Sequence, residues 1–127
     1  MQRRVGGSIP PASTVIARIW RGAVRRSDGD AYADYIKATG FDEYKRTPGN
    51  RGAWMLRRDV GELTEFVMFT LWDSIESVRE FAGRDAETAV FYAEDDRFLV
   101  ERDLRSRHFE VQTHLPDPLG GPEPNRG

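Results

Sequence analysis

The nonapeptide TEFVMFTLW, residues Thr64–Trp72, alternates between two sets of side chains along most of its length. The odd-numbered positions from 67 to 71 are purely apolar, whereas the even-numbered positions from 66 to 72 combine large apolar side chains with one threonine. A period of two predicts a β-strand, with one set of side chains on each face of its sheet. Because neither set is plainly polar, we expect both faces of this sheet to be covered.

Three further strands are predicted on the two sides of this nonapeptide. Thr14–Arg25 is rich in β-branched residues and predicts the first strand. Arg51–Asp59 is joined to the nonapeptide through Val60–Leu63, which predicts an antiparallel hairpin with a slightly long loop. Ser106–Thr113 alternates cleanly and predicts the last strand.

Helical spacing predicts two helices between these strands. The first follows an N-cap signal at Ser27, carries apolar side chains three and four residues apart, and ends or kinks at Gly40. The second begins in the capping-box sequence Asp73–Glu76 and ends at Gly83. A further helical piece is expected over Asp85–Tyr92.

The order of these elements is β-α-β-β-α-β, which predicts an α+β fold of the ferredoxin-like type. In this fold one antiparallel sheet carries both helices on a single face. All three Trp, four Tyr and seven Phe lie between Trp20 and Phe109, and six of the seven Pro lie outside that window. We therefore expect one domain over residues 14–114, a flexible N-terminal tail over 1–13, and a Pro/Gly-rich tail over 115–127.

Composition excludes several classes of function. The net charge of −2 gives no electrostatic footprint for nucleic acid. The chain has no cysteine, no apolar run long enough to cross a bilayer, and no apolar core in its first residues typical of a secretory signal. Residues 94–96 are acidic but lack the spacing of a calcium loop, which predicts a solvated turn. We expect a cytoplasmic protein without nucleic-acid or membrane partners.

The sheet face that carries Trp20, Trp72 and His108 is predicted to form a homodimer interface. Large aromatic side chains left in water would expose an apolar patch that needs a partner. A second copy of the chain is the simplest cover, because twofold dimers are the commonest soluble oligomers. The purely apolar face is then expected to lie beneath the helices.

Four segments of the chain resemble the antibiotic biosynthesis monooxygenase family, whose members are small dimeric α+β barrels. They are TVIARIW (residues 14–20), TPGNRG (47–52), FTLWDS (69–74) and HFEV (108–111). The resemblance covers nearly all of residues 14–114 and implies a homodimer of this fold. Among the family's unrelated activities, it implies cofactor-independent monooxygenation or binding of a small aromatic or quinone-like compound.

The haem-degrading branch of that family does not match this chain. Its members use an Asn in the first strand, and a Trp and a His in the helical region after the third strand. The matching positions here are about Ile19, Phe81 and Phe91, so no imidazole is available there to ligate iron. His108 and His114 would lie about 20 Å apart in a strand, too far to share one metal ion. We expect no cofactor and no metal.

Seven residues are candidates for a ligand cleft between the helices and the sheet. Oxygenation without a cofactor needs a base, a group that stabilises the substrate anion, and a pocket that excludes water. His108 is the expected base, Arg18 the expected anion-stabilising group, and Tyr92 a further catalytic candidate. The expected substrate-binding residues are Tyr32, Tyr35, Phe81 and Phe91.

The same residues also allow a non-catalytic interpretation. Tyr and Phe at helical spacing are typical of a core, and a dimer interface could use both His108 and Arg18 fully. The alternative function is a small-ligand-binding or stress-associated homodimer of the same fold, without catalysis. The two hypotheses differ in whether His108 opens into the same cavity as Tyr32 and Tyr92.

Overall fold

Strand β1 (Ile16–Arg25) runs through the middle of the sheet in the computed structural model, which describes residues 14–115. The two predicted tails lie outside these residues, apart from Leu115. A 3-10 turn at Arg26–Asp28 follows β1. The other elements, in chain order, are α1 (Gly29–Ala38), α2 (Gly40–Arg46), β2 (Asn50–Val60), β3 (Leu63–Trp72), α3 (Ile75–Ala82), α4 (Asp95–Phe98), β4 (Leu99–Arg102) and β5 (Arg107–Glu110).

The sheet is antiparallel with the strand order β2-β3-β1-β4, and β5 also pairs with β1. Strand β4 pairs with the end of β1 around Gly22–Val24, and β5 pairs with its beginning, Ile16–Ile19. The two short strands therefore act as one interrupted strand along the same edge of β1. This arrangement confirms the predicted α+β, ferredoxin-like fold.

The hairpin between β2 and β3 is tighter than the sequence predicted. Val60 pairs directly with Leu63, so only Gly61 and Glu62 form the loop. Gly61 has a φ of 59°, the left-handed conformation that two-residue hairpin loops need and that glycine adopts freely. The predicted longer loop is wrong, because the two flanking residues continue the strands.

Helix α3 begins one residue later than the predicted capping box. The Ser74 side chain accepts a hydrogen bond from the Ser77 backbone N–H at 3.2 Å, so Ser74 is the N-cap rather than Asp73. Gly83 ends the helix with a φ of 100°, as predicted. At α1 the predicted cap at Ser27 is wrong, because the chain enters that helix through the 3-10 turn.

The two faces of the sheet are the reverse of the prediction. The mixed face lies beneath the helices, where Phe66 and Trp72 are completely buried. Tyr32 of α1 packs edge-on against Phe66, and Phe81 of α3 packs against Trp72. Because Trp72 has no exposed surface, the predicted interface through Trp20, Trp72 and His108 is not available to a partner.

The purely apolar face is the open face. It comprises side chains from all three long strands and from β5: Ile19, Trp54, Leu56, Val67, Phe69, Leu71 and Phe109. Leu56 and Phe109 are half exposed, and the Trp54 and Phe69 rings contact each other across the strands. Charged side chains of Arg21, Arg58, Glu65 and Glu101 occupy the other end of this face.

The segment after α3 is irregular rather than helical. Thr88 forms an isolated β-bridge with Arg105, and the Ala89 N–H donates to the Leu104 carbonyl at 3.2 Å. Peptide groups that pair with residues 104–106 are not free for helical hydrogen bonds. The predicted helix over residues 85–92 is therefore wrong, and the predicted solvated turn at 94–96 contains instead the buried Asp95.

Within residues 14–115, no helix has the length and apolar character required to span a membrane.

Candidate functional site

A small cavity lies between the helices and the mixed face of the sheet. Its free space is about 50 Å³, and it is partly open to solvent. Its aromatic lining consists of Trp20, Tyr32, Tyr44, Phe81, Phe91 and Tyr92. Its polar lining includes Arg18, Asp95 and Ser106. The cavity is thus an aromatic cleft with a few polar groups, which is the usual composition of a small-molecule site.

Five of the seven candidate residues line this cavity, namely Arg18, Tyr32, Phe81, Phe91 and Tyr92. Two of them do not. Tyr35 packs on the outer side of Tyr32, and its hydroxyl accepts a hydrogen bond from the Glu94 N–H at 2.8 Å. His108 lies behind Arg18 and contacts it.

Arg18 is held rigidly by three acceptors. Its Nη1 donates to the Ala86 carbonyl and lies 2.9 Å from His108 Nε2, while its Nη2 donates to the Thr88 carbonyl at 2.9 Å. Cross-strand pairing of Arg18 with His108 places the imidazole beside it, and the irregular segment supplies the two carbonyls. The guanidinium also lies over the Phe81 ring, 5.6 Å from its centroid.

The Arg18 charge is buried without a carboxylate partner. The residue is only 4% exposed, and no Asp or Glu among residues 14–115 forms an ion pair with it. Burial lowers the pKa of Arg18, and the neighbouring Tyr44 opposes this effect. Since buried cations are normally paired with acids, Arg18 provides uncompensated positive charge at the cavity wall.

His108 is a neutral hydrogen-bond acceptor in this arrangement. Burial and then the Arg18 charge lower its pKa to about 4, while Glu87 acts in the opposite direction. With Arg18 as the donor, His108 Nε2 accepts and the imidazole proton resides on Nδ1. The base role of His108 remains a prediction, and in this geometry the imidazole acts on the cavity through Arg18.

The depressed pKa of His108 predicts a pH-dependent stability. Between about pH 6.5 and pH 4 the unfolded chain binds a proton at this position that the folded chain does not. The free energy of unfolding should therefore fall as the pH is lowered through this window. Urea denaturation at several pH values should show this fall in the wild type and a smaller one in His108→Gln, which keeps an acceptor for Arg18. The exposed His114→Gln is the control and should behave like the wild type.

Two tyrosine–carboxylate pairs hold two tyrosines of the cavity lining in place. The Tyr32 hydroxyl donates to Asp95 at 2.8 Å, and the Tyr92 hydroxyl donates to Glu43. Burial, with these carboxylates, raises the pKa of both tyrosines, and burial raises the pKa of Tyr44 to about 12. The three phenols are therefore protonated at neutral pH and can serve as hydrogen-bond donors.

Sequence reasoning missed Trp20, which it assigned to the dimer interface, and four further residues of the site. Asp95 and Glu43 belong to acidic, helix-starting segments that are usually solvated, and only the tertiary fold brings them to Tyr32 and Tyr92. Tyr44 could have been found, because it follows Phe41 at helical spacing. Ser106 carries no sequence signal beyond its place at the start of the last predicted strand. Among the described residues, no group of three or more His, Asp or Glu side chains could hold a metal ion.

Comparison with known proteins relates the chain to others through its fold. No family model matches the sequence, and no curated protein matches it significantly. Several solved structures do match.

A Bacillus cereus protein provisionally assigned as an antibiotic biosynthesis monooxygenase matches with a TM-score of 0.58 at 13% identity, covering 82% of this chain and 99% of that protein. A Nitrosomonas europaea protein of unknown function gives 0.60 at 16% identity, covering 84% and 99%. A Mycobacterium tuberculosis protein gives 0.54 at 17% identity, covering 81% and 99%. The resemblance to the antibiotic biosynthesis monooxygenase family is thus confirmed at the level of fold, and this chain has the same fold as that Bacillus cereus protein.

Proposed function

We propose that this protein binds a small aromatic or quinone-like compound in the cavity, with an oxygen of the ligand facing Arg18. The single observation that supports this proposal is the buried Arg18 guanidinium, which lines an aromatic cavity and has no acidic partner among the described residues. An ionised phenol or enol would supply the missing negative charge. Phe81 and Phe91 would contact the ring.

The catalytic form of this proposal is monooxygenation without a cofactor. Dioxygen would oxidise a ring carbon of the bound phenolate to a carbonyl, with one oxygen atom in the product and the other released as water. The substrate supplies all four electrons, so no external reductant is required. Arg18 would stabilise the anion, and the Tyr92 hydroxyl, hydrogen-bonded to Glu43, would pass the substrate proton towards that carboxylate.

A second candidate is a homodimer that binds such a ligand without reacting it. One observation favours it: the Tyr32 and Tyr92 phenols are already engaged with carboxylates, and His108 lies outside the lining. In this case Arg18, Phe81, Phe91 and Tyr92 only bind and orient the compound.

Oxygen uptake and ligand binding together test the two candidates. Tyr92→Phe should reduce oxygen uptake with a panel of phenols and quinols by about 100-fold, the typical contribution of a proton-transfer group. Ligand affinity, followed by quenching of tryptophan fluorescence, should change only slightly. Tyr35→Phe removes a hydroxyl outside the lining and is the matched control. Binding without any uptake in the wild type would favour the non-catalytic candidate, and failure to bind every member of the panel would reject both.

We further propose a homodimer formed through the open apolar face. Its apolar part is formed by neighbouring side chains of β1, β2, β3 and β5, on the side of the sheet that the helices do not cover. Burial of such side chains against a second copy of the chain stabilises the dimer by about 25 cal/mol per Å² of apolar area removed from water. The charged cluster around Glu65 would lie at the rim of this interface. A cytoplasmic location is part of this proposal.

A further inference from the structure

We infer that Ser106 and Arg18 form an anchoring subsite for an ionised oxygen carried by a single aromatic ring, as a phenolate or a carboxylate. The inference rests on the proposed binding function and names the chemical group that the cavity recognises. It also gives a role to the Ser106 hydroxyl, which forms no hydrogen bond within residues 14–115.

Ser106 is a buried hydroxyl without a partner. Its side chain is in a residue only 2% exposed, it lines the cavity, and its Oγ has no hydrogen-bond partner within residues 14–115. It is the one side-chain oxygen or nitrogen in this condition among those residues. Because an unpartnered buried hydroxyl destabilises the folded state, its place in a cavity wall indicates that a ligand completes its hydrogen bonding.

One irregular segment fixes both groups of the subsite. The Ser106 N–H donates to the Glu87 carbonyl at 2.7 Å, while the neighbouring Ala86 and Thr88 carbonyls accept from Arg18. The bridge between Thr88 and Arg105 connects the same two pieces of chain. The Ser106 backbone and the Arg18 guanidinium are therefore held in place before a ligand binds, which reduces the cost of ordering them.

The chemistry of the two groups selects an anion. Three of the five N–H groups of Arg18 are used by acceptors in the described residues, which leaves donors for a ligand. Since both donors belong to the cavity lining, the subsite assigns them to one negatively charged oxygen, and such charge-assisted hydrogen bonds are the stronger ones. Trp20 and Phe91, which pack edge to face at 6.1 Å, provide apolar surface for a ring beside this anchor.

Ser106→Ala tests the inference with three probes: benzoate, 4-nitrophenolate and the neutral benzamide. Isothermal titration of the full chain should show that Ser106→Ala binds the anionic probe preferred by the wild type about tenfold more weakly, since a hydrogen bond to a charged group is lost. Benzamide binding should change less than twofold. The melting temperature of ligand-free Ser106→Ala should equal or exceed that of the wild type, because the variant removes an unpartnered polar group. The exposed Ser27→Ala is the control and should match the wild type in every measurement.

Preference for benzoate over 4-nitrophenolate, or the reverse, identifies the ionised group, and each result supports the subsite. Equal losses for the anions and for benzamide would overturn it, and so would a lower melting temperature with unchanged selectivity, which indicates a structural role only. Wild-type binding of neutral rings without preference for anions would overturn the subsite and leave the proposed binding function intact. Failure to bind any aromatic probe, charged or neutral, would reject the proposed function itself.

Discussion

Arg18→Met is expected to lower the free energy of unfolding by about 3 kcal/mol, because it leaves three buried acceptors without a donor. The Ala86 and Thr88 carbonyls and His108 Nε2 all accept from this guanidinium. Removal of a desolvated charge offsets part of this loss. The methionine keeps most of the apolar stem, so the lost hydrogen bonds dominate the result.

Urea denaturation monitored by tryptophan fluorescence measures this loss. Arg84→Met changes an exposed arginine after α3 and should stay within about 0.5 kcal/mol of the wild type. A stability equal to or above that of the wild type would contradict the expectation. That result would mean that water donates hydrogen bonds to the three acceptors, and that the Arg18 charge serves ligand binding only.

Phe69→Glu is expected to convert a homodimer to a monomer, with the dissociation constant raised at least about 1000-fold. Phe69 lies on the open face, in contact with Trp54 and paired with Ile19 of β1. In the monomer a carboxylate there remains in water, whereas in the proposed dimer it would be buried without a partner at a cost of several kcal/mol. Sedimentation over a range of protein concentrations measures the change.

Two further variants keep this test decisive. Leu104→Glu alters an exposed apolar side chain that is 70% accessible and lies outside the sheet face, so it should leave the dimer unchanged. Leu56→Lys introduces the opposite charge at a half-exposed position of the open face and should dissociate the dimer without unfolding it. A wild-type chain that is monomeric at all concentrations would reject the proposed interface.

The alternation of β3 was sufficient to predict the sheet, and the order of elements was sufficient to predict its topology. The alternation could not predict which face of the sheet the helices cover, because both faces of Thr64–Trp72 are rich in apolar side chains. The purely apolar set of side chains resembled a core face only because the mixed set contains Thr70. The mixed set also has Arg18 and His108 as neighbours on adjacent strands. In the structure these polar groups are satisfied inside the chain, as Trp72 Nε1 donates to Thr70 Oγ1 at 2.8 Å and Arg18 contacts His108.

The candidate site was predicted in its aromatic and cationic parts, and the reason it was incomplete is physical. Ala86, Ala89 and Val90 have helical spacing, and their local preference favours a helix. Arg18, 68 residues away from Ala86, needs the carbonyls of that segment, and this long-range demand overrides the local preference. The carboxylate partners of the tyrosines also depend on contacts between distant segments, such as Tyr92 with Glu43, which spacing along the chain does not encode.

Phe91 and Tyr92, which lie in the irregular segment between α3 and α4, form part of the cavity wall. The free space of the cavity, about 50 Å³, holds only a few water molecules, whereas an aromatic ring needs on the order of 150 Å³. A ring that enters this space completely therefore requires the part of the wall at residues 90–92 to move outward. The fraction of molecules with the wall in this open position depends on backbone hydrogen bonds of the segment, such as that from the Ala89 N–H to the Leu104 carbonyl. The measured affinity is then the intrinsic affinity multiplied by the open fraction, so a substitution that merely loosens the wall can tighten binding without contacting the ligand.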